Sequence, residues 1–427
     1  MDERRMEGPA SPLVPPANEG IFASLRLTSF RWLWASGLLS GFGMYSSVLV
    51  LSWLALSTQG STLAVGVLLA ARVLPQLLFG LQAGALADRF SRSHLVLAAN
   101  AGSGAVIGLL CLASVGGAVG LPILAGGAFL VSICDAIRVT AASAMAFDLV
   151  GRRSATNAIA LSNLAAQVSG IFAGIVGGYG LAALGPTPTL LLAAVAYLAG
   201  AVLVPRGVLP AAAKVSGAPV SFGRAAATII RNRTVALIAI VVAGSELFAF
   251  SSMTLLPSFA RDVFGIGAAG LGWLLSARAV GGSVGLLAIA TTSSRWRTVG
   301  SFALLAGVFG VALIAFAVTP FLGVALILAA VIGAAGGAVD AVGQAQLQHA
   351  VSAEQRGSAM GVWMFCVGLG LAGHIETGLL GGFLGAPFAQ GLNGSVLVVL
   401  ALIVGAALPA ISSRRLGSAN LGPDSTG

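Results

Sequence analysis

The chain has 427 residues, 57% of them hydrophobic and only 8% charged, with a mean hydropathy of +0.99. Soluble domains carry about 25% charged residues, so a water-soluble globule is excluded and the chain reads as an integral membrane protein. The net charge of +9 does not point to nucleic acid, because the basic residues come singly or in pairs between apolar runs, with no basic stripe interleaved with aromatics.

In chain order, residues 1–20 are charged and proline-bearing and read as a tail without the apolar core of a cleavable signal peptide. The first span is therefore expected to direct insertion. Ile21 to Arg31 reads as a short amphipathic lead-in at the interface. Twelve apolar runs follow, each near the ~20 residues a helix needs to cross a bilayer. They are placed at Trp32 to Ser57, Leu63 to Ala87, Leu95 to Val115, Leu121 to Phe147, Ile159 to Leu181 and Thr187 to Val204, then Thr234 to Leu256, Ala268 to Ala290, Val299 to Val318, Phe321 to Leu347, Met360 to Leu384 and Leu392 to Ile411. The longest connection, rich in proline, glycine and basic residues, divides the chain near its middle. The expected organisation is a tail and lead-in over 1–31, a six-helix bundle over 32–204, a cytoplasmic linker over 205–233, a second bundle over 234–411 and a tail over 412–427.

Basic residues fix the expected orientation. With the N-terminus inside, Arg261 alone falls in an outer connection and Arg72, Arg138 and Arg278 fall within spans, while all the others lie on the cytoplasmic side. Both termini are thus expected in the cytoplasm of a multi-pass cell-membrane protein. An internal repeat supports two related halves. Ala71-Arg72 recurs as Ala277-Arg278, Asp135-Ala136 as Asp340-Ala341, and Gly174-Ile175-Val176-Gly177-Gly178 as Gly378-Leu379-Leu380-Gly381-Gly382.

Between the second and third spans stands Gly84-Ala85-Leu86-Ala87-Asp88-Arg89-Phe90-Ser91-Arg92, read as a charged hairpin at the membrane face. The pattern Gly-x-Leu-Ala-Asp-Arg-x-x-Arg at this place resembles the loop signature of the major facilitator superfamily of secondary transporters. Ser91 stands where the family has glycine, and Ser93 where it has a second basic residue. The resemblance implies an all-α fold of two pseudo-symmetric six-helix bundles. It also implies a conformational latch: Asp88 against the N-terminus of the eleventh helix, where unpaired N–H groups and the dipole favour an anion, and Arg92 paired with Asp148, with Gly84 and Arg89 completing the motif. Such a latch biases a two-state protein only by its differential contact energy.

Ionisable groups inside the membrane are costly and raise a functional question first. Arg72, Arg138 and Arg278 stand against Asp135, Glu246, Asp340 and Glu376, with His374 nearby. Asp135 and Arg138 share a helix face at three residues' separation. Three cations cannot neutralise four carboxylates, so at least one acid is left for a proton, a cationic substrate or water. In the family, helices one, four, seven and ten line the central cavity, which would give Asp135, Glu246 and Asp340 to it. Glu246 has no cation within four positions and apolar neighbours, which disfavour its ionised form; it ranks first as proton carrier, Asp135 second. Pairing of Glu246 with Arg72 or Arg278 is the structural alternative.

His374 and Glu376 point about 200° apart on a helix, so both cannot face one cavity. No third ligand makes them a metal site. Cys111, Cys134 and Cys366 sit in apolar runs without metal spacing and read as packing residues. Asn163 and Gln167 share one helix face, as do Asp340, Gln344 and Gln348, and such polar faces belong against protein or a wet cavity. Tyr45, Trp53, Phe248 and Phe250 are candidates for an aromatic wall.

Gly170-x-x-x-Gly174-Ile175-x-x-Gly178 resembles the family's antiporter signature, with Ile175 in place of proline. Small residues at this spacing let helices approach closely. Leu256-Pro257-Ser258-Phe259-Ala260-Arg261-Asp262 and Arg356-Gly357-Ser358-Ala359-Met360-Gly361 look like the bacterial macrolide-efflux and siderophore-exporter branch. The resemblance implies a drug:proton antiporter that exports a small amphipathic molecule, drug-like or siderophore-like, by alternating access. The proton gradient would be its energy source, and the expected protein has no cofactor, no bound metal, a small-molecule substrate, the lipid bilayer as its surroundings, and acts as a monomer. A proton-coupled uptake symporter on the same fold is the alternative, and a non-transporting membrane sensor a further one. An enzyme is disfavoured, since no nucleophile and base adjoin in a loop and no phosphate-binding glycine loop occurs.

Overall fold

The computed structural model describes residues 23–117, 119–204, 232–292, 298–352 and 355–407. Among these residues twelve helices are long and apolar enough to cross a membrane. They are α1 (Thr28–Gln59), α2 (Thr62–Arg89), α3 (Arg92–Val115), α4 (Leu121–Gly151), α5 (Asn157–Leu184) and α6 (Pro186–Leu203), then α7 (Arg233–Val263), α8 (Gly267–Thr292), α9 (Val299–Val318), α10 (Leu322–His349), α11 (Ser358–Leu384) and α12 (Ala386–Ala407). Large apolar side chains such as Leu109, Leu112, Val318 and Leu402 are mostly exposed around the outside. On a soluble protein that belt would be an aggregation surface; here it is the face a bilayer covers.

Local chemistry sets the helix ends. Ser61 caps α2 by accepting from the Leu63 N–H at 3.2 Å, and Asn232 caps α7 by accepting from Thr234 N at 3.0 Å. Gly185 and Gly385 hold φ of 83° and 86°, a region open to glycine without steric cost. Each lets one helix turn straight into the next, with Pro186 or Pro387 in the first turn of the new helix. The last helix therefore begins at Ala386 rather than Leu392, because the turn needs one residue and not seven. The expected end of that span, Ile411, lies outside the described residues, as do 205–231 of the linker.

Two further expectations shift. The stretch read as a hairpin is helical through Arg89, and α3 starts at Arg92, so the connection is only Phe90-Ser91. Of the lead-in, Ala23–Arg26 forms one 3-10 turn and α1 already starts at Thr28 rather than Trp32, and Ser24 donates to Asn157 Oδ1 at 2.7 Å. Phe30 is buried with Leu33 against Met145, Val150 and Leu161. Burial of an apolar anchor beneath α4 and α5 draws this segment into the bundle.

Helices α1–α6 pack as one bundle and α7–α12 as another. The bundles meet at two crossings, α5 on α8 and α2 on α11, and both are built from the repeated glycines. A Cβ on Gly178 would stand 2.8 Å from Gly272 Cα, and one on Gly378 would stand 3.1 Å from Thr62 O and 3.2 Å from Gly66 Cα. Gly66 and Gly272 occupy matching places in the two halves, so the crossings are copies of one another. Hydrogen bonds sew the same face: Thr62 Oγ1 donates to Gly378 O at 3.0 Å, Arg261 Nη1 to Leu56 O at 3.1 Å, and Trp273 Nε1 to Tyr179 Oη at 3.2 Å. All lie toward the face opposite the chain ends.

Replacing Gly378 by valine should wedge the α2–α11 crossing apart. Spin labels at Gln59 and Leu384 would report a longer distance by double electron–electron resonance in that variant; an unchanged distribution would refute the role given to the crossing.

Candidate functional site

A cavity of about 460 Å³ lies between the bundles, within the size range of small-molecule sites. Its wall comes from both halves: Met44, Tyr45 and Val48 of α1, Leu69, Arg72 and Gln76 of α2, Gln167 and Gly170 of α5, Phe250 and Met253 of α7, Leu275 and Arg278 of α8, Ile332, Gly336 and Asp340 of α10, and His374 of α11. It is a mostly apolar space with a few converging polar groups. The α4 helix contributes nothing to the lining, contrary to the assignment the resemblance implied.

The reason is the company Asp135 keeps. Its carboxylate is 4% exposed and lies 3.2 Å from Arg138 Nε and 3.7 Å from Arg72 Nη2. The Tyr197 hydroxyl donates to it at 3.1 Å. Two guanidiniums and a phenol hold it as the hub of an internal ion cluster in the first bundle. Arg72 serves both sides: one nitrogen faces Asp135, its Nη1 has no hydrogen-bond partner, and the residue lines the cavity.

Because Asp135 takes two arginines, the other three acids are left without one. Among the described residues, Glu246, Asp340 and Glu376 have no basic side chain within ion-pair distance. Asp340 faces the cavity, with Gln344 one turn further along the same helix. Glu246 does not line it. It sits in a π-helical turn, Ser245–Ala249, a local widening that often marks function, and its Oε2 is turned toward α11, where a Cβ on Gly370 would lie 3.3 Å away. Glu246 and Asp340 are near enough to act on each other electrostatically. Neither Arg72 nor Arg278 pairs with Glu246.

Glu376 turns from the cavity into a polar network. Thr377 Oγ1 donates to its Oε2 at 3.0 Å and Asn393 Nδ2 does so at 3.3 Å. His374, two residues earlier, faces the cavity, with its Nδ1 2.9 Å from Thr254 Oγ1. The pair thus diverges as helix geometry requires, and no group of three metal-ligating side chains occurs among the described residues.

Among the described residues, Arg278 is the only cavity guanidinium without a carboxylate. Its Nη1 donates to Ser252 Oγ at 3.2 Å. Of the other cavity candidates, Tyr45, Gln167 and Phe250 line the space; Asn163 and Gln344 do not, nor do Trp53 and Phe248. Glycines 170, 174 and 178 lie in the α5–α8 crossing, where a Cβ on Gly170 would meet Ala279 Cβ at 3.2 Å. Since Gly378 and Gly381 do the same work on α2, these glycines report a close crossing that both halves share.

At the face with the chain ends, Arg92 is ion-paired to Asp148, and its Nη1 also donates to Ala144 O at 3.1 Å. Both partners belong to the first bundle. The side chains of Gly84 and Asp88 lie outside the described residues, and Arg89 is exposed. Sequence reasoning missed Tyr197 and Ser252, because contacts 62 and 26 residues distant in the chain leave no local pattern. It also missed Gln76, which stands one turn from Arg72 and could have been found by that spacing.

Two related bundles of membrane-length helices with a cavity lined by both define the architecture of a membrane transporter. The Major Facilitator Superfamily description matches residues 33–370 and 238–423, and the chain belongs to that family. It is a multi-pass membrane transporter and not an enzyme. No curated protein matches it in sequence. Its structure is similar to that of the nucleoside transporter NupG, at 16% identity, covering 88% of this chain and 98% of that one with a TM-score of 0.71. It is also similar to an auto-inhibited POT family peptide transporter, at 13% identity over 88% and 96% of the chains with a TM-score of 0.69. A third likeness is to a bacterial homolog of the human lysosomal transporter Spinster in an inward-facing, unoccupied conformation, at 17% identity over 87% and 96% with a TM-score of 0.62. At these identities the likeness shows the fold alone.

Removing one partner of a buried ion pair costs about 3–5 kcal/mol. Asp135→Asn should therefore lower the apparent Tm of the purified protein by several degrees, whereas Asp340→Asn should leave it nearly unchanged. Equal effects in a thermal-unfolding assay would contradict the division between structural and unpaired acids.

Proposed function

We propose that this protein is a proton-coupled secondary transporter of a small amphipathic molecule, with Asp340 as the proton-binding acid at the cavity and Glu246 as a second acid beside it. The observation that carries the reading is an acid on the wall of the inter-bundle cavity without a basic partner among the described residues. A buried carboxylate without a counter-charge is strained. Protonation relieves it, and alternating access then exposes the site to each side in turn.

The arginine distribution supports both termini in the cytoplasm of the cell membrane. In the first form of the proposal cargo leaves in exchange for entering protons, the form implied by the resemblance of the α5 glycines to the family's antiporter signature. Uptake together with protons is the second form, and the cavity guanidiniums favour it: an acidic cargo and an ionised Asp340 repel, so proton and cargo load together. Asp88 and the Arg92–Asp148 pair are proposed to steady the inner face when it closes. Since both partners of the pair belong to one bundle, the contact that depends on bundle position falls to Asp88.

In proteoliposomes with an imposed pH gradient, Asp340→Asn should abolish gradient-driven flux while keeping cargo exchange, and Glu246→Gln should weaken coupling less. The sign of the gradient that drives accumulation separates the two forms. Full gradient-driven flux in Asp340→Asn would overturn the assignment.

A further inference from the structure

We propose that the cargo is an amphipathic anion, a carboxylate or phosphate on an apolar body, held between Arg278 and Arg72. This deepens the transporter reading and rests on it. Arg72 on α2 and Arg278 on α8 occupy equivalent places in the repeat, one per bundle, and line the same cavity. A guanidinium is always charged and offers five N–H donors in a fork that fits oxyanions.

Neither arginine is spent inside the protein. Arg278 makes one hydrogen bond, to the neutral Ser252 hydroxyl. Among the described residues no carboxylate lies within ion-pair distance of it, Asp340 on the same wall included. Arg72 shares Asp135 with Arg138, so that cluster keeps one uncompensated positive charge, and Arg72 lines the cavity. A cation without a counter-charge is costly inside a membrane protein, and an oxyanion entering the cavity would meet one arginine from each bundle.

The rest of the wall sets the body of the cargo. Met44, Val48, Leu69, Leu275, Ile332 and Phe250 offer apolar and aromatic surface, suited to a hydrocarbon or aryl portion. A permanently cationic amphipath would meet two guanidiniums in a cavity of about 460 Å³, so organic cations are disfavoured. Seating the anion across residues from both bundles also ties its binding to their relative position, as a transporter requires.

The test uses the full chain in nanodiscs and three probes of one shape: 4-phenylbutyrate, 4-phenylbutyramide and 4-phenylbutylamine, with phenylphosphonate as a fourth to separate phosphate-like from carboxylate preference. Calorimetry should show the acid binding at least about tenfold more tightly than the amide, the scale of one charge-assisted hydrogen-bonded contact. Arg278→Gln should remove that preference and leave amide binding unchanged, and Arg278→Lys should keep part of it. Amide or amine binding as tight as the acid, an acid preference that survives in Arg278→Gln, or binding of none of the probes would overturn the proposal. Gradient-driven flux of the same probes separates the two readings. If only neutral or cationic probes move with the gradient, the anion inference falls and proton coupling stands; if the acid binds through Arg278 but its flux ignores the gradient, the reverse holds.

Discussion

The ion cluster around Asp135 sets the charge pattern of the whole membrane interior. A carboxylate in a medium of low dielectric must be matched or protonated, and here it is matched twice over, by Arg138 at 3.2 Å and Arg72 at 3.7 Å. That excess leaves the first bundle with a guanidinium reaching the cavity. The second bundle has the converse imbalance, with three acids and one arginine and no ion pair among them. Each half is electrically unfinished, and the cavity between them is where the unfinished groups meet.

The mechanical counterpart is the pair of glycine crossings. Helices that move relative to one another cannot interlock through large side chains, and glycine lets backbones touch without such keys. At α5–α8 and α2–α11 the contact is backbone on backbone, sewn by a few hydrogen bonds at one face. Duplication explains the symmetry: one crossing is made twice, at α5–α8 and at α2–α11. It also explains why the α5 glycines do not by themselves announce a direction of transport, since their repeat copies do the same on α11.

The cavity follows from these two features. Its mostly apolar wall lies between the crossings and carries two guanidiniums, Arg72 from one bundle and Arg278 from the other. Asp340 adds a proton-sensitive charge to the same wall, and Glu246, in its π turn beside α11, lies close enough to feel it.

How much of this was legible in the chain divides along physical lines. Hydropathy determined the twelve spans, because a bilayer imposes a length and a composition that no tertiary contact overrides. The repeat determined two like halves, and the count of acids against arginines correctly implied unpaired acids. Ends governed by a single φ were misread: Gly385 turns the chain in one residue, where composition suggested a loop. Which acid is unpaired was decided only in three dimensions. Asp135 and Glu246 both read as mid-membrane carboxylates, yet Tyr197 and Arg72 come from other helices to hold the first, and a π turn swings the second from the cavity toward Gly370. Side-chain direction around a helix and contact between helices distant in sequence carry no local signature, and the site is made of both.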